Sequence, residues 1–152
     1  AGSGLKRFVG ELGGINPFII FSDADIEKAV TDLVIRKTKA EGQACSAQNI
    51  LCLENDIAND VIEKIESKFL EIESLPTDKY ASALMGAIRT KKALEDLYLF
   101  EERLNQSGAR CIINKNQKHV GDGFFYNPAA YLCEEPDLFM EQIGRASRRA
   151  IV

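Results

Sequence analysis

The sequence predicts an α/β fold with a mostly parallel sheet and flanking helices. Three observations predict it. Apolar runs at 17–21, 49–54 and 109–113 have strand length and end at polar or turn residues. Stretches after residues 22, 55 and 91 carry apolar residues at helical spacing. The two kinds alternate as strand, helix, strand, helix, helix, strand, the order of parallel strands joined by helical crossovers.

Taken in order, residues 5–11 read as a short strand that stops at Gly13-Gly14, where the backbone turns without a Cβ. Pro17 to Phe21 is apolar throughout and reads as a buried strand. Ser22 caps the next helix, with Asp25 three residues on completing a capping box in which Asp replaces Glu. Ile26, Ala29, Val30, Leu33 and Val34 form its apolar face, and Gly42 ends it. A strand follows at 49–54. Asn55 or Asp56 then caps a long helix with Ile57, Val61, Ile62, Ile65 and Phe69 on one face. Pro76-Thr77-Asp78 breaks the pattern. Residues 91–106 form another helix, with Leu94, Leu97, Tyr98 and Leu104 near one face and Gly108 as its stop. Residues 109–113 read as a strand, 115–123 as a polar turn, and 124–133 as extended with a break at Pro128.

Composition narrows the function. The chain has 152 residues, 45% of them hydrophobic, enough for one core. A net charge of -4 argues against nucleic acid as the main partner, because phosphate binding needs clustered Lys and Arg. Cys45, Cys52, Cys111 and Cys133 form no CxxC pair, and His119 is the only His, so a closed zinc site is unsupported and no metal is expected. No apolar run reaches membrane-span length, and no signal-peptide pattern opens the chain. These features predict a soluble cytoplasmic protein with reduced thiols. Neither GxGxxG nor a Walker A motif is present, so any nucleotide is held mainly by elements elsewhere.

Cys45 follows a helix inside the small-residue loop Gly42-Gln43-Ala44-Cys45-Ser46-Ala47. Such a loop exposes a thiol and offers backbone N–H donors to a developing oxyanion. A lone cysteine is more often a small buried hydrophobe. Cys52 alternates with Leu51 and Leu53 and reads as structural, as does Cys111; Cys133 is open to either reading. Glu11 at a strand end suits a general base, although an isolated Glu is more often a surface carboxylate. His119 reads as solvated, and Lys115 with Lys118 falls short of a phosphate site.

Read together, two motifs say more. The stretch Glu11-Leu12-Gly13-Gly14-Ile15-Asn16-Pro17-Phe18-Ile19-Ile20-Phe21-Ser22-Asp23-Ala24-Asp25 resembles the glutamate signature of the NAD(P)-dependent aldehyde dehydrogenase superfamily. Gly42-Gln43-Ala44-Cys45 resembles its cysteine signature, and the 34-residue separation of Glu11 and Cys45 fits. The likeness continues through Asn49–Phe69 and Phe125-Tyr126-Asn127-Pro128, covering about residues 5–142.

The resemblance implies a part of the aldehyde dehydrogenase catalytic domain over 1–142. Cys45 would be the nucleophile that adds to an aldehyde. Glu11 would activate the water that releases the acid, with Gly13 and Gly14 near the nicotinamide of NAD or NADP, and Gln43 shaping the loop. It also implies a homo-oligomer or self-association. Two departures stand out. Only ten residues precede Glu11, so the cofactor domain is expected outside this chain. Where the family has Glu-Glu-Ile-Phe-Gly-Pro, this chain has Glu141-Gln142-Ile143-Gly144-Arg145, followed by an atypical basic tail at 143–152. The isolated chain is therefore expected to lack activity. The alternatives are a noncatalytic, self-associating fragment and, less favoured, a cysteine-dependent esterase.

Overall fold

A computed structural model describes residues 4, 7–76, 83–116 and 123–132. The predicted first strand is absent: residues 7–11 form no strand, and the adjacent Phe8 and Val9 are both exposed. With neither face of that run buried, no sheet position selects it.

Strand β1 (Asn16–Ile20) leads through helix α1 (Ile26–Thr38) to β2 (Gln48–Leu53). The two strands pair in parallel, with Asn16 opposite Gln48 and Ile20 opposite Leu53. The register shifts between Asn16 and Pro17, where the proline has no N–H for the ladder. Helix α1 is capped by Asp25, whose side chain accepts from the Lys28 N–H at 3.1 Å. Ser22, the expected cap, instead donates its backbone N–H to Glu54 Oε2 at 2.6 Å. That bond occupies Glu54, the N-cap residue of α2 (Asn55–Leu70), which makes no side-chain cap bond. Val30, Leu33 and Val34 from α1 meet Val61, Ile65 and Phe69 from α2 in the first core. Burying these stripes is the main stabilisation of both helices.

Helix α3 (Lys91–Gln106) has the predicted bounds. Thr90 caps it by accepting from the Ala93 N–H at 3.1 Å. Gly108 at φ +80 closes it, a left-handed turn that glycine takes without a Cβ clash. Strand β3 (Arg110–Ile113) then pairs with β4 (Ala130–Leu132) antiparallel. Ile113 and Ala130 face the first core, whereas Tyr131 joins Leu97, Phe100, Leu104 and Tyr126 in a second core around α3.

The described strands thus form two small sheets, one parallel and one antiparallel, and not one mostly parallel sheet. Periodicity identified the last extended run but carried no information about its partner or direction. In β2, Leu51 and Leu53 pack on the first core and Cys52 between them points away, so Cys52 is exposed; Cys111 is exposed as well. The segment 77–82, His119, Cys133 and everything after Leu132, including the 143–152 tail, lie outside the described residues.

Candidate active site

The cysteine loop begins in strained backbone. After α1 a single 3-10 turn spans Lys39–Gly42, and Ala40, Glu41 and Gly42 have φ of 52, 55 and 67. Two of these are not glycine, and left-handed backbone costs such residues about 1–2 kcal/mol each. Side chains hold the turn in place. Glu41 Oε1 accepts from the Gly86 N–H and Gln43 Oε1 from the Arg89 N–H, each at 3.0 Å. Both carboxamide and carboxylate reach across to the segment ahead of α3. Cys45 sits just beyond, exposed.

The other side of the site is the segment ahead of β1. Glu11 and Gly13 are exposed there, and Gly14 is half-buried. A Cβ built on Gly14 would lie 3.3 Å from the carbonyl oxygen of Cys45. The glutamate-bearing segment therefore passes close against the cysteine loop at a position where a side chain fits poorly. Two asparagines bind the segments together. Asn16 Nδ2 donates to the carbonyls of Cys45 at 2.7 Å and Ala47 at 3.0 Å. Asn49 Nδ2, at the start of β2, donates back to the Gly14 carbonyl at 3.2 Å. Lys37, 1% exposed, donates to Asn49 Oδ1 at 2.8 Å. Burial holds the Lys37 ammonium well below its usual pKa. Its bond to Oδ1 leaves the Asn49 NH2 turned toward Gly14.

The structure thus brings Gly14 and Cys45 together, with Glu11 on the same strand-leading segment as Gly14. Lys115 has a structural partner: its ammonium donates to the Leu70 carbonyl at the end of α2, at 2.6 Å. Lys118, His119 and Glu141 lie outside the described residues. The sequence reading assigned no role to Lys37, Asn16, Asn49 or Glu41. Lys37 had a legible signal, since the apolar face of α1 at Val30, Leu33 and Val34 continues onto it. Asn16 falls inside the signature-like stretch and Asn49 in no motif, and the partners of both were unreadable because those carbonyls are 29 to 35 residues away in sequence.

A separate polar group sits beside α3. Glu101 is buried and accepts from Asn114 Nδ2 at 2.6 Å and from the Tyr126 hydroxyl. Burial raises the Glu101 pKa despite these donors, and burial pushes Tyr131 up to about 12. Among the described residues no group of three or more His, Cys, Asp or Glu is placed to hold a metal ion. No helix among them is long and apolar enough to cross a membrane.

Residues 1–139 match the aldehyde dehydrogenase family. The chain belongs to the aldehyde dehydrogenase family. It is 30% identical over 138 residues to an NAD(P)+ succinate semialdehyde dehydrogenase of Escherichia coli, covering 91% of this chain and 29% of that protein. It is 27% identical over 150 residues to an NADP(+) D-glyceraldehyde dehydrogenase of Picrophilus torridus, covering 94% and 30%. The fold matches the crystal structure of an oxidoreductase from Marinobacter aquaeolei with a TM-score of 0.84 and 22% identity, over 99% of this chain and 31% of that one. The chain therefore spans under a third of the length of these relatives.

Proposed function

We propose that this chain is part of the catalytic domain of an enzyme that oxidises an aldehyde to a carboxylic acid with NAD or NADP. The observation that supports the reading is the close approach of the Gly14 segment, three residues after Glu11, to the carbonyl of Cys45, whose thiol is exposed. The Cys45 thiolate adds to the aldehyde carbon, and a tetrahedral thiohemiacetal forms. The Cys45 backbone N–H helps to hold its oxyanion. Bound NAD(P)+ supplies the hydride acceptor. Glu11 then takes a proton from a water that attacks the resulting thioester, the acid leaves, and the Cys45 sulfur is freed.

The residues present fit the nicotinamide in a steric sense. Gly13 is exposed and Gly14, which lies against the cysteine loop, is half-buried, and neither carries a side chain that a flat ring would have to clear. The pyrophosphate and ribose are held by elements outside these 152 residues, in keeping with the share of the relatives that the chain spans. The aldehyde is a small molecule, and neither its identity nor the choice of NAD over NADP is set by the residues here.

The test needs no cofactor. A pulse of p-nitrophenyl acetate should leave an acetyl group on the Cys45 peptide, and none there in Cys45→Ala. In Glu11→Gln the acyl group should persist roughly ten-fold longer or more, since a general base is lost. Equal acylation of Cys45, Cys52 and Cys111, or a lifetime indifferent to Glu11, overturns the mechanism. Steady turnover of the ester would instead favour the esterase reading. A self-associating role has its own support in the exposed Phe8, Val9, Leu12, Ile19 and Phe21, all apolar and in the first 21 residues.

A further inference from the structure

We propose that Asn16 is a positioning residue that aims the Cys45 thiol, a role that rests on Cys45 being the nucleophile. Its amide nitrogen donates both of its hydrogens to backbone carbonyls in the cysteine loop, to Cys45 at 2.7 Å and to Ala47 at 3.0 Å. Holding the Cys45 carbonyl fixes the residue's ψ. The Cα that carries the thiol is restrained with it. The loop needs such a hold because it leaves a turn with left-handed Ala40 and Glu41, a conformation that persists only where surrounding contacts impose it.

The geometry around Asn16 suits this task better than a simple strand position would. The ladder register breaks between Asn16 and Pro17, so the side chain of Asn16 supplies donors where the proline backbone has none. A reciprocal bond runs the other way, from Asn49 on the cysteine side to the Gly14 carbonyl on the glutamate side, and Lys37 sets its orientation. Each segment thus grips the backbone of the other. An amide is the smallest side chain with two N–H donors on one nitrogen, and two carbonyls in this loop accept them. Asp at this position would turn a donor pair into two acceptors facing two carbonyl oxygens, and Ala would leave both carbonyls without this partner.

The experiment is iodoacetamide alkylation of the 152-residue chain over a range of pH, with peptide mapping. Exposed Cys52 in β2 is the internal standard. In Asn16→Ala the Cys45 rate relative to Cys52 should change by about five-fold or more, as loss of a hydrogen bond that orients the group predicts. Asn16→Ser, which keeps one donor, should fall between wild type and Asn16→Ala. An unchanged Cys45 to Cys52 ratio in both variants overturns the proposal. So does a matching rise in Cys45, Cys52 and Cys111 labelling, because Asn16 would then hold the fold and not the thiol. The outcome is separable from that of the mechanism: Glu11→Gln with an unaltered thioester lifetime removes the base, while the alkylation ratio still reports on Asn16.

Discussion

Lys37 carries the sharpest electrostatic consequence of any single residue here. It is fully buried among apolar neighbours of α1, and Asn49 Oδ1 is the acceptor on its ammonium. Burial lowers its pKa well below the usual 10.5 in the folded chain. Between the lowered folded value and 10.5, the unfolded chain binds more protons than the folded one. Stability therefore rises with pH across that window. Urea midpoints measured from neutral pH upward should climb in wild type, and Lys37→Met should lose that component of the slope. Equal slopes in the two proteins would mean that Lys37 stays charged in the fold. The residue also shows why an inventory of candidate nucleophiles and bases was incomplete. Glu11, Gly13, Gly14 and Cys45 were legible as candidates because their chemistry or their motif announces them. Asn16 and Asn49 act through backbone carbonyls, and nothing in the identity of the residues carrying those carbonyls marks them as partners.

At the scale of elements, local signals located helices well and decided their ends less well. The bounds of α3 follow from Thr90, the periodic apolar face and Gly108. The start of α1 does not follow from the first cap-forming residue in the sequence. Ser22 and Asp25 both had the chemistry, and the Ser22 backbone was claimed by Glu54 from a distant strand end. Asp25→Ala should cost about 1 kcal/mol by urea denaturation, whereas Ser22→Ala, which removes only a hydroxyl bonded to the exposed Glu54 carboxylate, should cost less. A larger loss from Ser22→Ala would restore the capping box. The same kind of remote decision governed β1 and the missing first strand. An apolar run becomes a strand only where a neighbouring strand and a core receive it, and residues 7–11 have neither among the described residues. Strand β2 was placed within one residue, because Leu51 and Leu53 supply a buried face through simple alternation.

Across the whole molecule, the two cores meet at the β3–β4 pair, with Ile113 and Ala130 on one and Tyr131 on the other. That junction ties the α1–α2 half, which carries Cys45, to the α3 half, whose leading segment receives Glu41 and Gln43. The site is thus braced from both halves. Bracing alone does not complete it, since the matched stretch is only 29% to 30% of the relatives' length. The 152-residue polypeptide expressed by itself should give no aldehyde-dependent NAD(P)H, because hydride transfer needs the cofactor aligned with the reacting carbon at about 3–3.5 Å. Absorbance at 340 nm with several aldehydes and both cofactors checks this. Sustained production would mean that these residues bind the cofactor unaided.

The sequence by itself determined the α/β class, the order of the helices, the family and the pair of residues on which the proposed chemistry rests. These follow from periodicities and motifs a few residues long, which the chain carries wherever it folds. Only the tertiary structure decided that the described strands form one parallel and one antiparallel pair, that Cys52 faces outward, and that Gly14, Asn16, Lys37 and Asn49 join two distant segments. Those outcomes depend on which groups 29 or more residues apart satisfy each other's hydrogen bonds and bury each other's surface, and no local pattern encodes that choice.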